Sequence, residues 1–183
     1  MCGRIRFSGK KATRSKFRKT IKLIVFDFDG VLTDNRVLVF QDGREAVFCS
    51  RSDGLAFDLF RAANLRTLIL STEVNPVVSA RARKLRTAVL QGREDKRSTL
   101  IDYCAKHQIL LHQVAYVGND VNDLAAMECV GLPICPSDAH RTIKRISKHV
   151  LRSKGGAGVA RELAETFFGL DHRQTLDNAK TIK

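Results

Sequence analysis

No apolar stretch in the sequence approaches the roughly 18 to 20 residues that a membrane-spanning helix needs, so no such helix is expected. C-x-x-C pairs are also missing. The five cysteines (Cys2, Cys49, Cys104, Cys129, Cys135) are odd in number and widely spaced, which indicates neither a disulfide framework nor a zinc site and fits a reducing, cytoplasmic compartment. Acid is absent from the first 22 residues, which hold nine of the 32 Lys and Arg. Those residues lack the long apolar core of a secretory signal as well.

What is present divides at about residue 20. From Leu23 onward 23 basic residues face 19 acidic ones, so only +4 of the formal net charge of +13 belongs to the body. The rest precedes Leu23, all but Lys22 of it on an arm, residues 1–20. Lys/Arg-rich segments can contact phosphate backbones through charge alone. This one offers only Phe7 and Phe17 for stacking, no nucleic-acid motif accompanies it, and like-charge blocks are usually disordered. A solvated extension is expected, with no nucleic-acid partner and no membrane. The whole chain of 183 residues is 44% hydrophobic and 28% charged, and its body reads as one folded domain of ordinary size, residues 21–169, followed by a polar tail, 170–183.

Within the body, strand-like and helical patterns alternate. Ile21 to Phe26 is apolar apart from Lys22 and ends in Asp27-Phe28-Asp29-Gly30, as buried strands of parallel sheets do. Similar runs occur at Arg66 to Leu70, Ala88 to Leu90, Val114 to Val117 and Leu132 to Cys135. Between them lie helical patterns at Asp53 to Ala63 (with Leu55, Leu59 and Ala62 or Ala63 on one face), Pro76 to Leu85, Glu94 to His107 and Val121 to Cys129. Alternation of this kind implies right-handed crossovers, hence an α/β, doubly wound parallel sheet of Rossmann type. One segment breaks the pattern: Arg36 to Phe40 and Glu45 to Cys49 flank Asp42-Gly43, a hairpin signal. Placed directly after the first strand, that hairpin would hang as a flap over the carboxyl ends of the sheet, where open α/β sheets bind ligands.

Asp27 and Asp29 end the first strand. Alternate strand positions point the same way, so their carboxylates converge. Two carboxylates so close repel unless a cation lies between them, and magnesium, a hard cation that takes carboxylate oxygens, is the natural partner. One aspartate could then attack a phosphoryl group while the other moves the leaving group's proton.

The run Phe26-Asp27-Phe28-Asp29-Gly30-Val31-Leu32-Thr33-Asp34 resembles the first motif of the haloacid dehalogenase superfamily of phosphatases, and the likeness extends from Ile21 to about Phe168. It is most similar to the capless branch: the 3-deoxy-D-manno-octulosonate 8-phosphate phosphatases and the phosphatase domains associated with acylneuraminate cytidylyltransferases. The resemblance implies no cap domain, a magnesium ion, Asp27 as nucleophile, and Asp29 as general acid and base whose backbone carbonyl also holds the metal. Ser71, with adjacent Thr72 as a second candidate, matches the second-motif hydroxyl, and Lys96 the third-motif lysine that neutralises phosphoryl charge. Asn119, Asp120 and Asp123 of Gly118-Asn119-Asp120-Val121-Asn122-Asp123 match the metal-binding fourth motif. Asn119 stands where the family usually has an aspartate, and its amide oxygen brings no negative charge. The likeness also implies substrate contacts at Gly30, Arg51 and Asn122; Arg51 lies one place before the position usual for the octulosonate enzymes, and Ser71-Thr72-Glu73 replaces their Ser-Gly-Arg.

Lys154 to Glu162 is similar to a glycine-rich element that, in this branch, helps close a neighbouring subunit's site. It implies a homotetramer in which the following helix docks Leu163, Phe167 and Phe168 on a partner. The expected function is hydrolysis of a phosphorylated keto-sugar acid, of the octulosonate 8-phosphate or nonulosonate 9-phosphate type, through an aspartyl-phosphate. Two rivals stand beside it: a weakly active or silent oligomerisation module related to the cytidylyltransferase tail domain, and a nucleic-acid-binding protein using the arm.

Overall fold

The structure, a computed structural model, describes residues 20–171; the expected arm and most of the expected polar tail lie outside the described residues. Strands β1 (Leu23–Phe26), β4 (Arg66–Leu70), β5 (Ala88–Leu90), β6 (Val114–Val117), β7 (Leu132–Cys135) and β8 (His149–Val150) form one sheet in the order β5-β4-β1-β6-β7-β8, every pairing parallel. Strands β2 (Thr33–Val39) and β3 (Glu45–Cys49) make a separate antiparallel hairpin, with Val37 opposite Val47. Its turn closes through the Gly43 N–H donating to the Phe40 carbonyl at 2.9 Å, with Gly43 at a φ of 83°, the left-handed value the Asp-Gly pair supplies. The flap after the first strand is as expected, and no cap domain interrupts the described residues.

The helices are α1 (Ser52–Ala62), α2 (Val77–Leu85), α3 (Lys96–Lys106), α4 (Leu124–Glu128), α5 (Arg141–Ile146) and α6 (Val159–Glu162). They cover both faces of the sheet, because alternate residues of each strand feed opposite layers. Ile24, Phe26, Ile69, Ala115 and Val117 pack in one layer with α1 and α6, while Leu23, Val25, Leu68, Leu70, Val114 and Tyr116 pack in the other with α3 and α4. The chain leaves β1 toward β4 on one side and returns to β6 on the other. The carboxyl end of β1 is therefore the switch point at which the loops part and a crevice opens.

Helix α1 corrects the expected face. Leu55 is 47% exposed, and the buried apolar residues are Ala56, Phe57, Leu59 and Phe60. The reason is aromatic packing: Phe57 and Phe60 lie 5.2 and 6.1 Å from Phe26, and Phe60 meets Phe168 edge-on at 6.2 Å. Each such ring removes more apolar area from water than a leucine would. A short strand, β8, and helix α5 add elements that the patterns did not show.

The chain end departs from expectation in a way that matters for assembly. Leu163, Phe167 and Phe168 do not face a partner; they are 0%, 3% and 4% exposed and belong to the chain's own core. The glycine-rich segment likewise packs on its own first loop. The Gly155 N–H donates to Asp138 Oδ1 at 3.0 Å and the Gly156 N–H to the Val31 carbonyl at 3.0 Å. A Cβ at Gly155 would fall 2.3 Å from the Gly30 carbonyl oxygen, so only glycine lets this strap lie against the turn after β1. No helix of the described residues is long and apolar enough to cross a membrane.

Candidate active site

The carboxyl ends of three strands meet at the switch point. Asp27 continues β1, its N–H donating to the Val117 carbonyl at 2.9 Å. Ser71 follows β4 and is 1% exposed; its hydroxyl accepts the Glu73 N–H at 3.0 Å. Asn119 and Asp120 follow β6. Together with Asp29, Asn35, Thr72, Val121 and Asn122 these residues line a cleft of about 260 Å³. A neighbouring cavity of about 210 Å³ shares Asp29 and Asn35 and adds hairpin residues Arg36, Val37, Glu45 and Val47 with Glu73, Asn75 and Val77. The sequence patterns missed Asn35, Glu45, Glu73 and Asn75, although all four lie in the hairpin or the loop after β4, both of which were legible as segments.

Lys96 reaches Asp27 at the floor of this cleft from the first turn of α3, positioned by Asp95, whose side chain caps the helix by accepting the Ser98 N–H at 2.9 Å. Its ammonium lies 2.8 Å from Asp27 Oδ1 and 2.7 Å from Asp123 Oδ1, and the residue is 2% exposed. Asp123 also accepts from the Tyr116 hydroxyl at 2.9 Å and, through Oδ2, from the Asn119 N–H at 2.9 Å. Both of its oxygens are thus taken by donors, and it lines neither cavity. Asp123 was expected either as a metal ligand or as an acceptor behind the ligands; its contacts in the structure are those of an anchor for Lys96 and for the loop after β6. Tyr116, the polar tip in an otherwise apolar strand, is the residue whose part in this network the sequence left unnoticed.

Asp27 Oδ1 accepts the Phe28 N–H at 2.7 Å in addition to the lysine, which leaves Oδ2 toward the cleft. Burial, and next the Asp123 charge, raise the Asp27 carboxyl to about 8 against the opposing pull of Lys96. Burial penalises the charged carboxylate, and since one ammonium serves two buried carboxylates, the Asp123 charge adds to the preference for a proton. Lys96 in turn is held above its usual range, because Asp27 and Asp123 together outweigh its own burial. Asp29 is also raised, first by burial and then by Glu73 and Glu45, against a hydrogen bond from the Thr33 hydroxyl at 3.3 Å.

The donor set fits a magnesium ion. The Asn119 carboxamide oxygen faces only acceptors, Asp27 Oδ2 and the Asp29 carbonyl; with the amide reversed its nitrogen would donate to them at 3.3 and 2.8 Å. Three oxygens therefore crowd one point at separations close to the edge of about 3 Å between neighbouring oxygens around magnesium. Gly30 is part of this fit: it sits at a φ of 75°, and a Cβ there would lie 2.0 Å from Asn119 Nδ2. Asp120 and Asn122 line the cleft beside these oxygens. Arg51 does not line either cavity; it is exposed at the start of α1, and the guanidinium that reaches inward nearby is that of Arg81, donating to the Ser50 carbonyl at 2.6 Å.

Residues 71–163 match the model of the haloacid dehalogenase-like hydrolases. The 3-deoxy-D-manno-octulosonate 8-phosphate phosphatase of Escherichia coli K12 is 31% identical over 163 residues, 88% of this chain and 86% of that protein. The chain belongs to the haloacid dehalogenase-like hydrolases. Among solved structures, a haloacid dehalogenase family protein of Streptomyces avermitilis superposes with a TM-score of 0.81 at 43% identity, covering 85% of this chain and 92% of that one. The 3-deoxy-D-manno-octulosonate 8-phosphate phosphatase of Moraxella catarrhalis, solved with magnesium, phosphate and the sugar acid, superposes with a TM-score of 0.83 at 26% identity over 93% and 98% of the two chains. This member of the haloacid dehalogenase-like hydrolases is an enzyme, a phosphatase, and the resemblance read from its first motif holds across the fold.

Proposed function

We propose that the chain is a magnesium-dependent phosphomonoesterase that cleaves a phosphorylated keto-sugar acid through an aspartyl-phosphate. The observation that carries this reading is the division of labour within Asp27: Oδ1 is held by Lys96 and the Phe28 N–H, and Oδ2 is left toward the cleft. Oδ2 attacks phosphorus, the phosphorus–oxygen ester bond breaks, and the departing alkoxide takes a proton from Asp29. The raised Asp29 carboxyl suits that task, since it is held protonated further up the pH scale than a free carboxyl. Asp29, now ionised, takes a proton from water as that water attacks phosphorus, and the Asp27–phosphorus bond breaks to release inorganic phosphate. Lys96 neutralises the attacking carboxylate and the phosphoryl oxygens, and the Ser71 hydroxyl donates to one of them. Asp27, the Asp29 carbonyl and Asn119 would hold the magnesium ion, with Asp120 beside them; the ion supplies positive charge to the phosphoryl group.

The substrate class rests on the relatives, whose names specify 3-deoxy-D-manno-octulosonate 8-phosphate. The polyol part of such a substrate suits the 210 Å³ cavity beside Asp29, where Asn35, Glu45 and Asn75 offer hydrogen-bonding groups. Assembly as a homotetramer is part of the proposal. The hairpin supports it, with Val37, Leu38, Val39 and Phe48 between 52% and 69% exposed, an apolar surface of the kind that marks an interface. A cytoplasmic setting agrees with the unpaired state of Cys49, Cys104, Cys129 and Cys135.

The test is Asp27→Asn. With magnesium present, phosphate release from a panel of phosphorylated eight- and nine-carbon sugar acids should fall by about a thousandfold or more, with the far-ultraviolet spectrum unchanged. Turnover near the wild-type rate would sink the mechanism. Wild-type release from p-nitrophenyl phosphate but from none of the sugar acids would refute the substrate class alone.

A further inference from the structure

A cavity of about 680 Å³ lies at the opposite end of the sheet, more than twice the volume of the catalytic cleft. Its floor is the start of β4 and β5, and its walls are the last turns of α1, α2 and α3. Arg61, Arg66, Arg86 and His107 line it, and no acidic residue among the described residues does. Arginines at helix C-termini have an ordinary explanation, since cations there offset the negative end of the helix dipole. Arg61 fits it, bonding Asp58 and donating to the Arg86 carbonyl at 3.3 Å. The guanidinium groups of Arg66 and Arg86 make no hydrogen bond or ion pair among the described residues. Two exposed, unengaged guanidinium forks thus face one acid-free cavity.

The remaining wall is aromatic. Tyr103 on α3 and His107 just past its end pack with ring centres 4.2 Å apart and planes tilted by 45°; burial raises the Tyr103 phenol against the opposing pull of the nearby Arg66 charge. A guanidinium binds phosphate oxygens through paired N–H groups, and an aromatic face accepts a planar base by stacking. The space is open to solvent on one side and wide enough to seat a small molecule.

We propose that this cavity binds a free nucleotide, its phosphates on Arg66 and Arg86 and its base against the Tyr103–His107 pair. The site is separate from the phosphoryl chemistry and joined to it through α3, whose first turn carries Lys96 and whose last turn carries Tyr103 and leads into His107.

Isotope-labelled full-length protein titrated with ATP, inorganic tripolyphosphate and a single-stranded decanucleotide at physiological salt tests the assignment. ATP should shift the backbone amides of Thr67, Thr87, Ala88 and His107 and bind about tenfold more tightly than tripolyphosphate, the difference expected of one stacked base. Arg66→Glu with Arg86→Glu should weaken ATP by tenfold or more; both side chains are exposed, and an unchanged melting temperature shows that the variant folds. Shifts confined to Asp29, Ser71 and Asn119 to Asn122 would overturn the proposal. So would unaltered ATP affinity in the double variant, equal binding of tripolyphosphate and ATP, or a decanucleotide that binds more tightly than ATP and ignores the two substitutions.

Discussion

Lys96 contacts Asp27 and Asp123 at 2.8 and 2.7 Å with side chains that are 1%, 6% and 0% exposed. On the hairpin, Arg44 contacts Asp42 at 2.8 Å with side chains 78% and 50% exposed. The distances are alike, and the energetics differ because water competes for one pair and not the other. In the buried cluster each member is needed to make the others tolerable. On the hairpin each charge already has water as an alternative partner. The phosphatase site is thus built where charge is costly, and the flap beside it where charge is cheap to rearrange.

The sharpest way to break this comparison is Asp123→Ala. It leaves a buried ammonium with one carboxylate and strips the acceptor from Tyr116 Oη and the Asn119 N–H. Losing one partner of a buried pair costs about 3–5 kcal/mol, and chemical denaturation should show a loss of that size. A loss below about 1 kcal/mol would place this cluster in the same class as the hairpin pairs. Activity should fall as well, since Lys96 loses the anchor that aims it at Asp27.

Asp53 supplies an intermediate case, a buried carboxylate without a cation bonded to it. It is 1% exposed, accepts the Arg161 N–H at 3.2 Å through Oδ1, and has no partner for Oδ2. Burial raises its carboxyl to about 6 from 3.8. The fold therefore prefers the neutral form: the group's contribution to stability is fully present below about pH 4 and is lost as the pH rises through 6. A shift of about two units corresponds to about 3 kcal/mol. Asn, which cannot ionise and keeps the acceptor for Arg161, should remove this slope. The stability of Asp53→Asn relative to wild type should rise by up to about 3 kcal/mol between pH 4 and pH 8, measured by denaturation at each pH. A difference that stays constant with pH would show that Asp53 remains ionised in the fold.

The same contrast explains how much could be read in advance. The parallel strands were legible because buried strands write their burial as uninterrupted apolar runs, and four of them, from Arg66–Leu70 to Leu132–Cys135, have the expected ends. Asp27 and Asp29 were legible as paired carboxylates at the end of the first strand; Ser71, Lys96, Asn119 and Asp120 were named only through the family resemblance, and all but Lys96 line one cleft. Tyr116 went unnoticed and the anchoring of Lys96 by Asp123 was not legible, because the Lys96–Asp123 contact that gathers them into one network spans 27 residues. Leu163, Phe167 and Phe168 were assigned to a partner because a helix pattern shows an apolar face without showing what covers it. The cover is Phe60 and the rest of this chain's own core.

The smallest effect belongs to the hairpin tip. Asp42 holds Arg44 through a bond from Nε at 2.8 Å and one from the Arg44 N–H at 3.1 Å, and the guanidinium lies 5.6 Å from the Phe40 ring. Three contacts converge on one arginine, yet all of them are open to water. A double-mutant cycle of Asp42→Ala and Arg44→Ala should give a coupling of about 0.2–1 kcal/mol, weakening further in 1 M salt, where the screening length falls to about 3 Å. The Asp42 carboxylate also braces the turn through the Arg44 N–H, so Asp42→Ala alone should cost slightly more than Arg44→Ala. A coupling above about 2 kcal/mol, insensitive to salt, would mean that the tip is shielded from water in solution. Another copy of the chain seated on the apolar hairpin would do that, so this weak pair also reports on the proposed assembly.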